Sequence, residues 1–178
     1  DAKRGDIGNT GLHYANAFFS HFNCDAITVS PYMGEESIEP FISNPSKGAY
    51  VLCRTSNKSS TFIQEEIYSK VISLCEALNN QQHIGLVVGA TNDDALMKVR
   101  NSTDLPFLIP GIGAQGGDLQ SVLKINEKNM DTTLINVSRG IIFHGNKDYD
   151  SIRNSTKQYL NQLRLSLIHI SEPTRQKP

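Results

Sequence analysis

The sequence predicts an α/β fold with a parallel sheet. Short, mostly apolar segments of four or five residues alternate with helical patterns along the chain, as expected for strands that are buried on both faces of a parallel sheet. The helical patterns place apolar residues on one face, which is typical of helices that cover such a sheet. No repeat, low-complexity tract or linker interrupts the alternation, so we expect one domain over residues 1–164.

Five strands and six helices are predicted. In chain order the strands are Ala26–Val29, Tyr50–Arg54, Ile84–Val88, Pro106–Ile109 and Thr133–Val137. The helices are Gly8–Phe22, Glu35–Phe41, Thr61–Leu78, Asp93–Arg100, Leu119–Ile125 and Asp150–Leu163. In the clearest helix, Thr61–Leu78, an apolar face begins at Phe62 and Ile63 and lies opposite Gln64 and Glu65. These units suit either an open doubly wound sheet or a partial (β/α)8 TIM barrel lacking its first two to three β/α units, because a complete barrel takes about 250 residues.

The two ends of the chain differ from the sequence between them. The sequence begins with Asp1, inside a motif and without a Met, so we expect a fragment whose natural start is missing. Residues 165–178 include a segment, Leu165–Arg175, that resembles the conceptual translation of a transposon-end adapter used in sequencing libraries. We expect these residues not to be native and exclude them from the fold.

Composition narrows the function classes. With 17 basic and 18 acidic residues and a net charge of −1, the chain has no electrostatic footprint for nucleic acid or an anionic membrane. No apolar stretch approaches the roughly 20 residues that span a bilayer. Cys24, Cys53 and Cys75 form no CxxC pair, which argues against a disulfide framework and a zinc site. We therefore expect a cytoplasmic protein that binds neither nucleic acid nor membranes.

The first chemical motif is the charged segment Asp1-Ala-Lys3-Arg-Gly-Asp6. Alternate residues of an extended segment share a face, so Asp1 and Lys3 are expected to point the same way. Each favours the charged form of the other, and such a pair at a strand's carboxyl end can stress an anionic substrate or deliver a proton. Asp6 begins the following loop. From spacing alone, a solvated charged terminus remains an alternative.

The second motif is the glycine-rich loop Pro110–Asp118. Its backbone N–H groups, with the N-terminus of the helix beyond, predict an anion site. The segment Gly111–Gly116 also fits the GxGxxG dinucleotide fingerprint, but that fingerprint belongs to the first strand–helix unit of its domain. A phosphate loop late in the chain is typical of barrels, which commonly use the loops after the last two strands. The motif therefore favours the barrel.

Two further motifs follow predicted strands. Arg139, in Ser138–Gly140, can form two hydrogen bonds to a phosphate group, although a surface ion pair is the alternative. Thr55, Ser56 and Asn57 suit hydrogen bonding to a flat heterocycle, although an ordinary polar loop is equally compatible. If the sheet is parallel, these strand ends lie on one side, and we expect Asp1, Lys3, Ser56, the glycine loop and Arg139 to meet there.

Taken together, these motifs resemble the orotidine 5′-phosphate decarboxylase family. The family signature DxKxxD is matched by Asp1, Lys3 and Asp6, followed by Ile7 and Thr10 as in that family. The other matching segments, in family order, are Cys24–Gly34 with its Pro-Tyr-Met-Gly turn, Arg54–Asn57, Pro110–Asp118 and Ser138–Gly140. The resemblance covers the chain from Asp1 to about Leu163.

The resemblance implies a (β/α)8 barrel that forms a homodimer and converts orotidine 5′-monophosphate to UMP, a decarboxylation in pyrimidine biosynthesis, without a metal or cofactor. It implies that Lys3 protonates C6 as CO₂ leaves and that Asp1 lies near the departing carboxylate and orients Lys3. It also implies that Asp6, Ile7 and Thr10 reach the partner subunit's site, where Asp6 completes the charged network.

The resemblance further implies the substrate contacts. Ser56 and Gln115 would read the pyrimidine, and Gln115 and Arg139 would hold the phosphate. The full substrate-binding set is Thr10, Ser56, Pro110, Gln115, Gly116, Gly117 and Arg139. The family's ribose-binding aspartate and second lysine are expected on missing strands, so we expect the fragment alone to be inactive. Two alternatives stay open: a magnesium-dependent sugar-phosphate decarboxylase or aldolase of the same superfamily, and a non-catalytic, Rossmann-like nucleotide-binding domain.

Overall fold

Five parallel strands form one sheet in the computed structural model, which describes residues 1–79 and 83–171, with side chains up to residue 165. The strands are β1 (Ala26–Val29), β2 (Gly48–Arg54), β3 (Ile84–Val88), β4 (Phe107–Pro110) and β5 (Thr133–Asn136). Each pairs with the next one along the chain, in the order β1-β2-β3-β4-β5. A doubly wound sheet reverses its strand order, whereas a barrel adds strands in sequence. The order of the described strands therefore supports a partial barrel and argues against the Rossmann-like alternative.

Helices precede, connect and follow these strands. They are α1 (Gly8–Asn16), α2 (Glu39–Ile42), α3 (Thr61–Leu78), α4 (Asp93–Arg100), α5 (Leu119–Ile125), α6 (Arg139–Ile142) and α7 (Tyr149–Ser171). A π-helical turn, Ala17–His21, continues α1, and short 3-10 turns lie at Glu35–Ser37, Lys58–Ser60 and Glu127–Thr132. Of the helices described, none combines the length and apolar character that a bilayer crossing requires.

Three predicted helices differ in extent. The one predicted over Gly8–Phe22 is α-helical only to Asn16 and continues as the π-helical turn to His21. The segment predicted as one helix from Glu35 to Phe41 is a 3-10 turn followed by the single turn of α2, which contains Pro40; proline has no N–H to continue a helix. The last helix runs to Ser171, past the predicted end at Leu163 and into residues 165–178. Residues 172–178 lie outside the described part, and the adapter origin of this tail stays a prediction.

The predicted apolar face of α3 is wrong over its first turn. Phe62 is 87% exposed and Ile63 is 50% exposed, whereas Val71, Ile72 and Cys75 further along are buried. The first turn of α3 lies beside the loop that follows β2, so its apolar side chains have no core to face. Only the later turns of α3 cover the sheet.

The core lies between the sheet and its helices. All five residues of β3 are buried, and the buried set includes Phe41, Leu96, Phe107 and Leu123 from the elements around it. Burial also raises the pKa of the Cys53 and Cys75 thiols to about 12. Both thiols therefore stay protonated at neutral pH and are core groups rather than nucleophiles.

The edge beside β1 positions the charged motif. The amide of Arg4 donates to the carbonyl oxygen of Thr28 at 3.2 Å, and the amide of Ser30 donates to the carbonyl oxygen of Arg4 at 2.7 Å. Arg4 thereby forms a parallel bridge with Val29. This pairing fixes Asp1, Ala2 and Lys3 next to β1.

A buried arginine ties α4 to the elements beside it. Arg100 is 7% exposed, and its guanidinium donates to Asn126 Oδ1 and to the carbonyl oxygens of Thr103 and Leu105. It also stacks on Phe107, with Cζ 3.4 Å from the ring centroid. Burial lowers the pKa of Arg100 to about 10, so it remains charged at neutral pH, and its hydrogen bonds compensate for the lost hydration.

Candidate active site

A cavity of about 760 Å³ opens where the strands end. The loops after β2, β4 and β5 contribute polar side chains to its wall, and the strands contribute apolar ones such as Leu52 and Val87. Carboxyl ends of parallel strands share one side of the sheet, which is why residues distant in sequence meet here. The predicted site residues that line this cavity are Asp1, Lys3, Ser56, Pro110 and Gln115.

Asp1 and Lys3 form an ion pair at the rim of this cavity. Lys3 Nζ lies 2.5 Å from Asp1 Oδ2, and the side chains are 51% and 64% exposed for Lys3 and Asp1 respectively. An ion pair this exposed contributes little to stability because water screens it. Its significance is geometric, since it holds an ammonium and a carboxylate together in the cavity. The pairing is as expected, but Lys3 has a φ of 49° and is therefore not in the extended conformation assumed for this segment.

Thr28 of β1 forms hydrogen bonds to the segment that carries this pair. Thr28 was not predicted from the sequence as a site residue. Its Oγ1 accepts hydrogen bonds from the amides of Ala2 and Lys3, both at 2.9 Å, and donates to Asp1 Oδ1 at 2.8 Å. Thr28 is 5% exposed and lines the cavity. An isolated threonine in an apolar strand was the only sequence signal.

A hydrogen bond joins two loops across the cavity. Ser56 Oγ donates to Gln115 Oε1 at 2.7 Å, although the two residues are 59 positions apart. Ser56 follows β2 and Gln115 lies in the glycine loop after β4. The two residues that the resemblance assigns to pyrimidine recognition are therefore neighbours.

Gln64 at the start of α3 braces the loop that carries Ser56. Its Oε1 accepts from the amide of Thr55 at 2.7 Å, and its Nε2 donates to Thr55 Oγ1 at 3.0 Å. The side of the first turn that was predicted to lie opposite the apolar face therefore faces the loop at Gln64, not solvent. The first turn of α3 packs against the loop, so a polar side chain finds its partners there.

The glycine loop uses several of its own amides. Three of its glycines have positive φ: Gly111 at 102°, Gly113 at 71° and Gly116 at 94°, a conformation that residues with a Cβ rarely adopt. The amide of Gly116 donates to the Gly113 carbonyl oxygen at 2.8 Å, and the amide of Gly117 donates to the Gly111 carbonyl oxygen at 3.0 Å. These two amides close the loop on itself, and an anion would have to compete with the carbonyl groups for them.

The N-terminus of α5, which follows this loop, is also engaged. Asp118 Oδ2 accepts from the amide of Ser121 at 2.9 Å, and this hydrogen bond holds the pKa of the carboxyl below its usual range. A carboxylate at an N-cap position satisfies the helix dipole. The predicted contribution of this helix to anion binding is therefore opposed by the charge of Asp118.

The second half of the predicted phosphate site lies at the start of α6. Arg139 is its first residue, three positions beyond the end of β5, and its exposed guanidinium has no hydrogen-bond or ion-pair partner within the described part of the chain. Its neighbour Ser138 lines the main cavity. Gly140 instead lines a second cavity of about 300 Å³, together with Gly117 and Tyr159.

The remaining predicted residues lie near the N-terminus of α1. Asp6 Oδ1 accepts from the amide of Ile7 at 2.9 Å, Ile7 is 53% exposed, and Thr10 is exposed in the first turn of the helix. Asp6, Ile7 and Thr10 do not line either cavity within the described residues. They present both polar and apolar groups to the surface.

The titratable side chains of the described residues do not form a metal site. Among residues 1–79 and 83–165, no three His, Cys, Asp or Glu side chains are grouped so that they could hold a metal ion. What the described cavity offers is one ammonium, one carboxylate, hydroxyls and amides, which are groups for binding and proton transfer.

Comparisons with known proteins identify the family. Residues 1–151 match the family described as orotidine 5′-phosphate decarboxylase / HUMPS. The chain belongs to this family. A protein named orotidine 5′-phosphate decarboxylase from Dehalococcoides mccartyi is 46% identical over 155 residues, covering 80% of this chain and 57% of that protein. One from Cupriavidus metallidurans is 43% identical over 179 residues, covering 92% of this chain and 65% of that protein.

Solved structures of the family have the same fold. The OMP decarboxylase of Leishmania donovani matches with a TM-score of 0.84 at 37% identity, covering 94% of this chain and 67% of that one. A chain from Methanocaldococcus jannaschii, at 22% identity, supports the fold alone, with a TM-score of 0.75. This chain spans a little over half the length of the first curated relatives. Its five-stranded sheet is accordingly part of the family's barrel.

The candidate site residues that the structure describes fall into two regions. The charged-pair region, defined by Asp1, Lys3, Thr28 and Ser56, is assembled around the main cavity by side-chain hydrogen bonds. The glycine-loop region, defined by residues 111–117 and 138–140, is divided between two cavities. Gln115 connects the two regions. The roles of individual residues in both regions are proposals.

Proposed function

We propose that the complete protein containing this chain decarboxylates orotidine 5′-monophosphate to UMP. The observation that carries the proposal is the cavity that brings the Asp1–Lys3 ion pair together with the Ser56–Gln115 hydrogen bond. Family membership supports it, because the relatives at 41–47% identity are named orotidine 5′-phosphate decarboxylases.

The chemistry assigns the charged pair to the reacting carbon. When the bond between C6 and the carboxylate breaks, its electron pair stays on C6 and CO₂ leaves. Lys3 then transfers a proton from its ammonium to C6 and becomes neutral. An ammonium fixed beside the developing carbanion stabilises the transition state more than the ground state. Asp1, which contacts this ammonium, orients it and lies near the departing carboxylate.

The other polar groups bind the parts of the substrate that do not react. Ser56 and Gln115 have hydrogen-bonding groups for the pyrimidine edge, and Gln115 and Arg139 suit the 5′-phosphate. Arg139 is the better candidate for the phosphate charge, since its guanidinium has no described partner and can form two parallel hydrogen bonds. Pro110 would line the pocket, while Gly116 and Gly117 would act mainly by shaping the loop, because their amides are engaged.

A homodimer completes the proposal. Asp6, Ile7 and Thr10 lie on an exposed surface at the start of α1, where Ile7 and Leu12 present apolar side chains that are 53% and 49% exposed. In the dimer these residues would contribute to the partner subunit's site, with Asp6 joining its charged network. The proposal includes a cytoplasmic location and needs no metal.

Activity is tested in a completed protein, defined as residues 1–164 joined to those parts of the Dehalococcoides mccartyi relative that this chain does not match. We expect it to convert orotidine 5′-monophosphate to UMP, measured by the loss of orotidylate absorbance, with the same turnover before and after EDTA treatment. The matched control is the same protein with Lys3→Ala.

Each outcome discriminates. A folded, dimeric completed protein that binds UMP but releases no CO₂ would overturn the proposal. Turnover that disappears with EDTA and returns with Mg²⁺ would instead support the magnesium-dependent sugar-phosphate enzyme, with sugar phosphates as the substrates to test. A monomer with full activity would refute the shared site while leaving the reaction intact.

A further inference from the structure

The Thr28 hydroxyl has all of its hydrogen-bonding capacity committed to the charged segment. A hydroxyl carries one proton and two acceptor lone pairs. Here both lone pairs face amide donors, those of Ala2 and Lys3 at 2.9 Å. Asp1 Oδ1, at 2.8 Å, is the third contact. Since an amide N–H can only donate, the hydroxyl proton has to point to Asp1.

This arrangement fixes the role of the Asp1 carboxyl. Oδ1 accepts the proton of Thr28, and Oδ2 accepts from Lys3 Nζ at 2.5 Å. Both oxygens are therefore acceptors, which matches the ionised form of a carboxyl group. Because Thr28 is 5% exposed, water has little access to compete for its hydroxyl.

The backbone conformation of Lys3 gives a second reason why its hydrogen bond to Thr28 matters. Its φ is 49°, one of three positive values among non-glycine residues in the described part of the chain. Residues with a Cβ seldom adopt this conformation unless their surroundings hold them in it. The hydrogen bond from the Lys3 amide to Thr28 Oγ1 contributes to holding it.

We propose that Thr28 is a positioning residue that orients Asp1 through its hydroxyl and, through Asp1 and the Lys3 amide, fixes the Lys3 ammonium in the cavity. Thr28 itself transfers no proton. This inference rests on the proposed function and adds to it a residue from a different strand, β1, whose side chain links the buried sheet to the reacting groups.

The test compares Thr28→Val with Thr28→Ser in the completed protein. Valine keeps the shape and β-branching of threonine but removes the hydroxyl, whereas serine keeps the hydroxyl. We expect Thr28→Val to lower kcat by about 10- to 100-fold, the range for losing a hydrogen bond to a charged group. The KM for orotidine 5′-monophosphate should stay within about twofold, and Thr28→Ser should retain most of the kcat.

Thr103 provides a matched control remote from the main cavity. It is 8% exposed, its hydroxyl donates to Glu76 Oε1 at 2.6 Å, and it accepts from the amide of Leu105 at 3.3 Å. Thr103→Val should lower the unfolding temperature and leave kcat unchanged. If Thr28→Val behaves like Thr103→Val, or if Thr28→Ser loses as much kcat as Thr28→Val, the positioning role is refuted.

Amide hydrogen exchange tests the contact without relying on activity. We expect the amides of Ala2 and Lys3 to exchange at least about tenfold faster in Thr28→Val than in the parent or in Thr103→Val. Unchanged exchange overturns the proposal. If the parent protein fails to decarboxylate, the proposed function fails, and faster exchange in Thr28→Val would still support the link between Thr28 and the charged segment.

Discussion

The charged-pair region and the glycine-loop region are held in place by different means. Around Asp1, Lys3 and Ser56, the connections are hydrogen bonds between side chains, made by Thr28 and Gln115. In the glycine loop the connections are backbone hydrogen bonds, and the glycines, which have no Cβ, allow neighbouring groups to pack closely against the backbone. The first region should therefore be sensitive to the removal of atoms, and the second to their addition.

Tyr159 of α7 shows how closely the glycine-loop region is packed. A Cβ placed on Gly113 or on Gly140 would lie 2.6 Å from the Tyr159 hydroxyl oxygen in each case. Ser155, one turn earlier and 1% exposed, donates to the carbonyl oxygen of Gly140 at 2.8 Å. The helix after the last motif thus sets the spacing between the two parts of the proposed phosphate site.

The largest effect is expected in the charged-pair region. Lys3→Ala in the completed protein should lower kcat by at least about 10²- to 10⁴-fold, because it removes both the proton donor and the charge beside the carbanion. UMP affinity should change much less. Steady-state kinetics and calorimetric titration with UMP measure the two quantities. A loss of less than tenfold in kcat would show that Lys3 is not the proton donor.

In the glycine-loop region, Arg139→Ala should act mainly on binding. We expect UMP affinity to fall by about 10- to 100-fold, as for the loss of a charged hydrogen-bonding partner. Uridine, which lacks the phosphate, should bind the parent and Arg139→Ala equally. The prediction is wrong if Arg139→Ala weakens uridine and UMP to the same extent.

The addition of single methyl groups separates steric fit from backbone strain. Gly140→Ala should destabilise the completed protein by about 1–3 kcal/mol through the clash with Tyr159, and Tyr159→Phe should recover most of that loss. Gly113→Ala meets the same hydroxyl but also places Ala at a φ of 71°. Because that strain persists, at about 1 kcal/mol or more, Tyr159→Phe should rescue it only in part.

Urea unfolding of the three single variants and the two double variants measures this coupling. If Tyr159→Phe rescues both alanine variants equally, backbone strain at Gly113 is unimportant. If it rescues neither, the hydroxyl of Tyr159 does not limit the spacing of the two loops.

Local sequence patterns predicted the sheet well. The observed strands lie within two residues of the predicted bounds, because apolar runs followed by glycine or polar loops mark buried parallel strands directly. The barrel was favoured from the late position of the glycine loop, and the sequential strand order confirmed that choice. The first turn of α3 was misjudged because periodicity identifies an apolar face without showing whether the core reaches it.

The candidate site was predicted where it depends on motifs and missed where it depends on hydrogen-bond partners that only the folded chain brings together. Asp1 and Lys3 form the expected ion pair, although Lys3, at a φ of 49°, does not have the extended backbone from which the pair was predicted. Thr28 was missed because its importance arises from hydrogen bonds to the charged segment, which lies 25 residues or more away in sequence. The use of the Gly116 and Gly117 amides within their own loop was likewise invisible, since glycine spacing predicts freedom of the backbone and not the partners it takes.

The smallest predicted effect concerns the base of the loop that carries Ser56. Arg54, whose side chain is 7% exposed, forms an ion pair with Glu65 of α3, and Lys98 Nζ lies 3.8 Å from the same carboxylate. The hydrogen bond from Arg54 is the main cause of a lowered pKa for Glu65. A carboxyl whose pKa is lower in the folded protein than in the unfolded chain stabilises the fold at pH values above its unfolded-state pKa, near 4.5. This stabilisation is lost as the pH falls through the pKa of the folded state.

Glu65→Gln should therefore lower the unfolding temperature slightly at pH 7 and have progressively less effect as the pH falls below about 4.5. The difference should be small, because the Glu65 side chain is 43% exposed, and salt should reduce it further. Glu66→Gln is the matched control, an exposed neighbour with no ion-pair partner in the described residues. Thermal unfolding of both variants between pH 3 and 7 measures the effect. A Glu65→Gln difference that persists unchanged at pH 3 would show that shape and neutral hydrogen bonds, rather than charge, hold the start of this loop, as they do in the glycine-loop region.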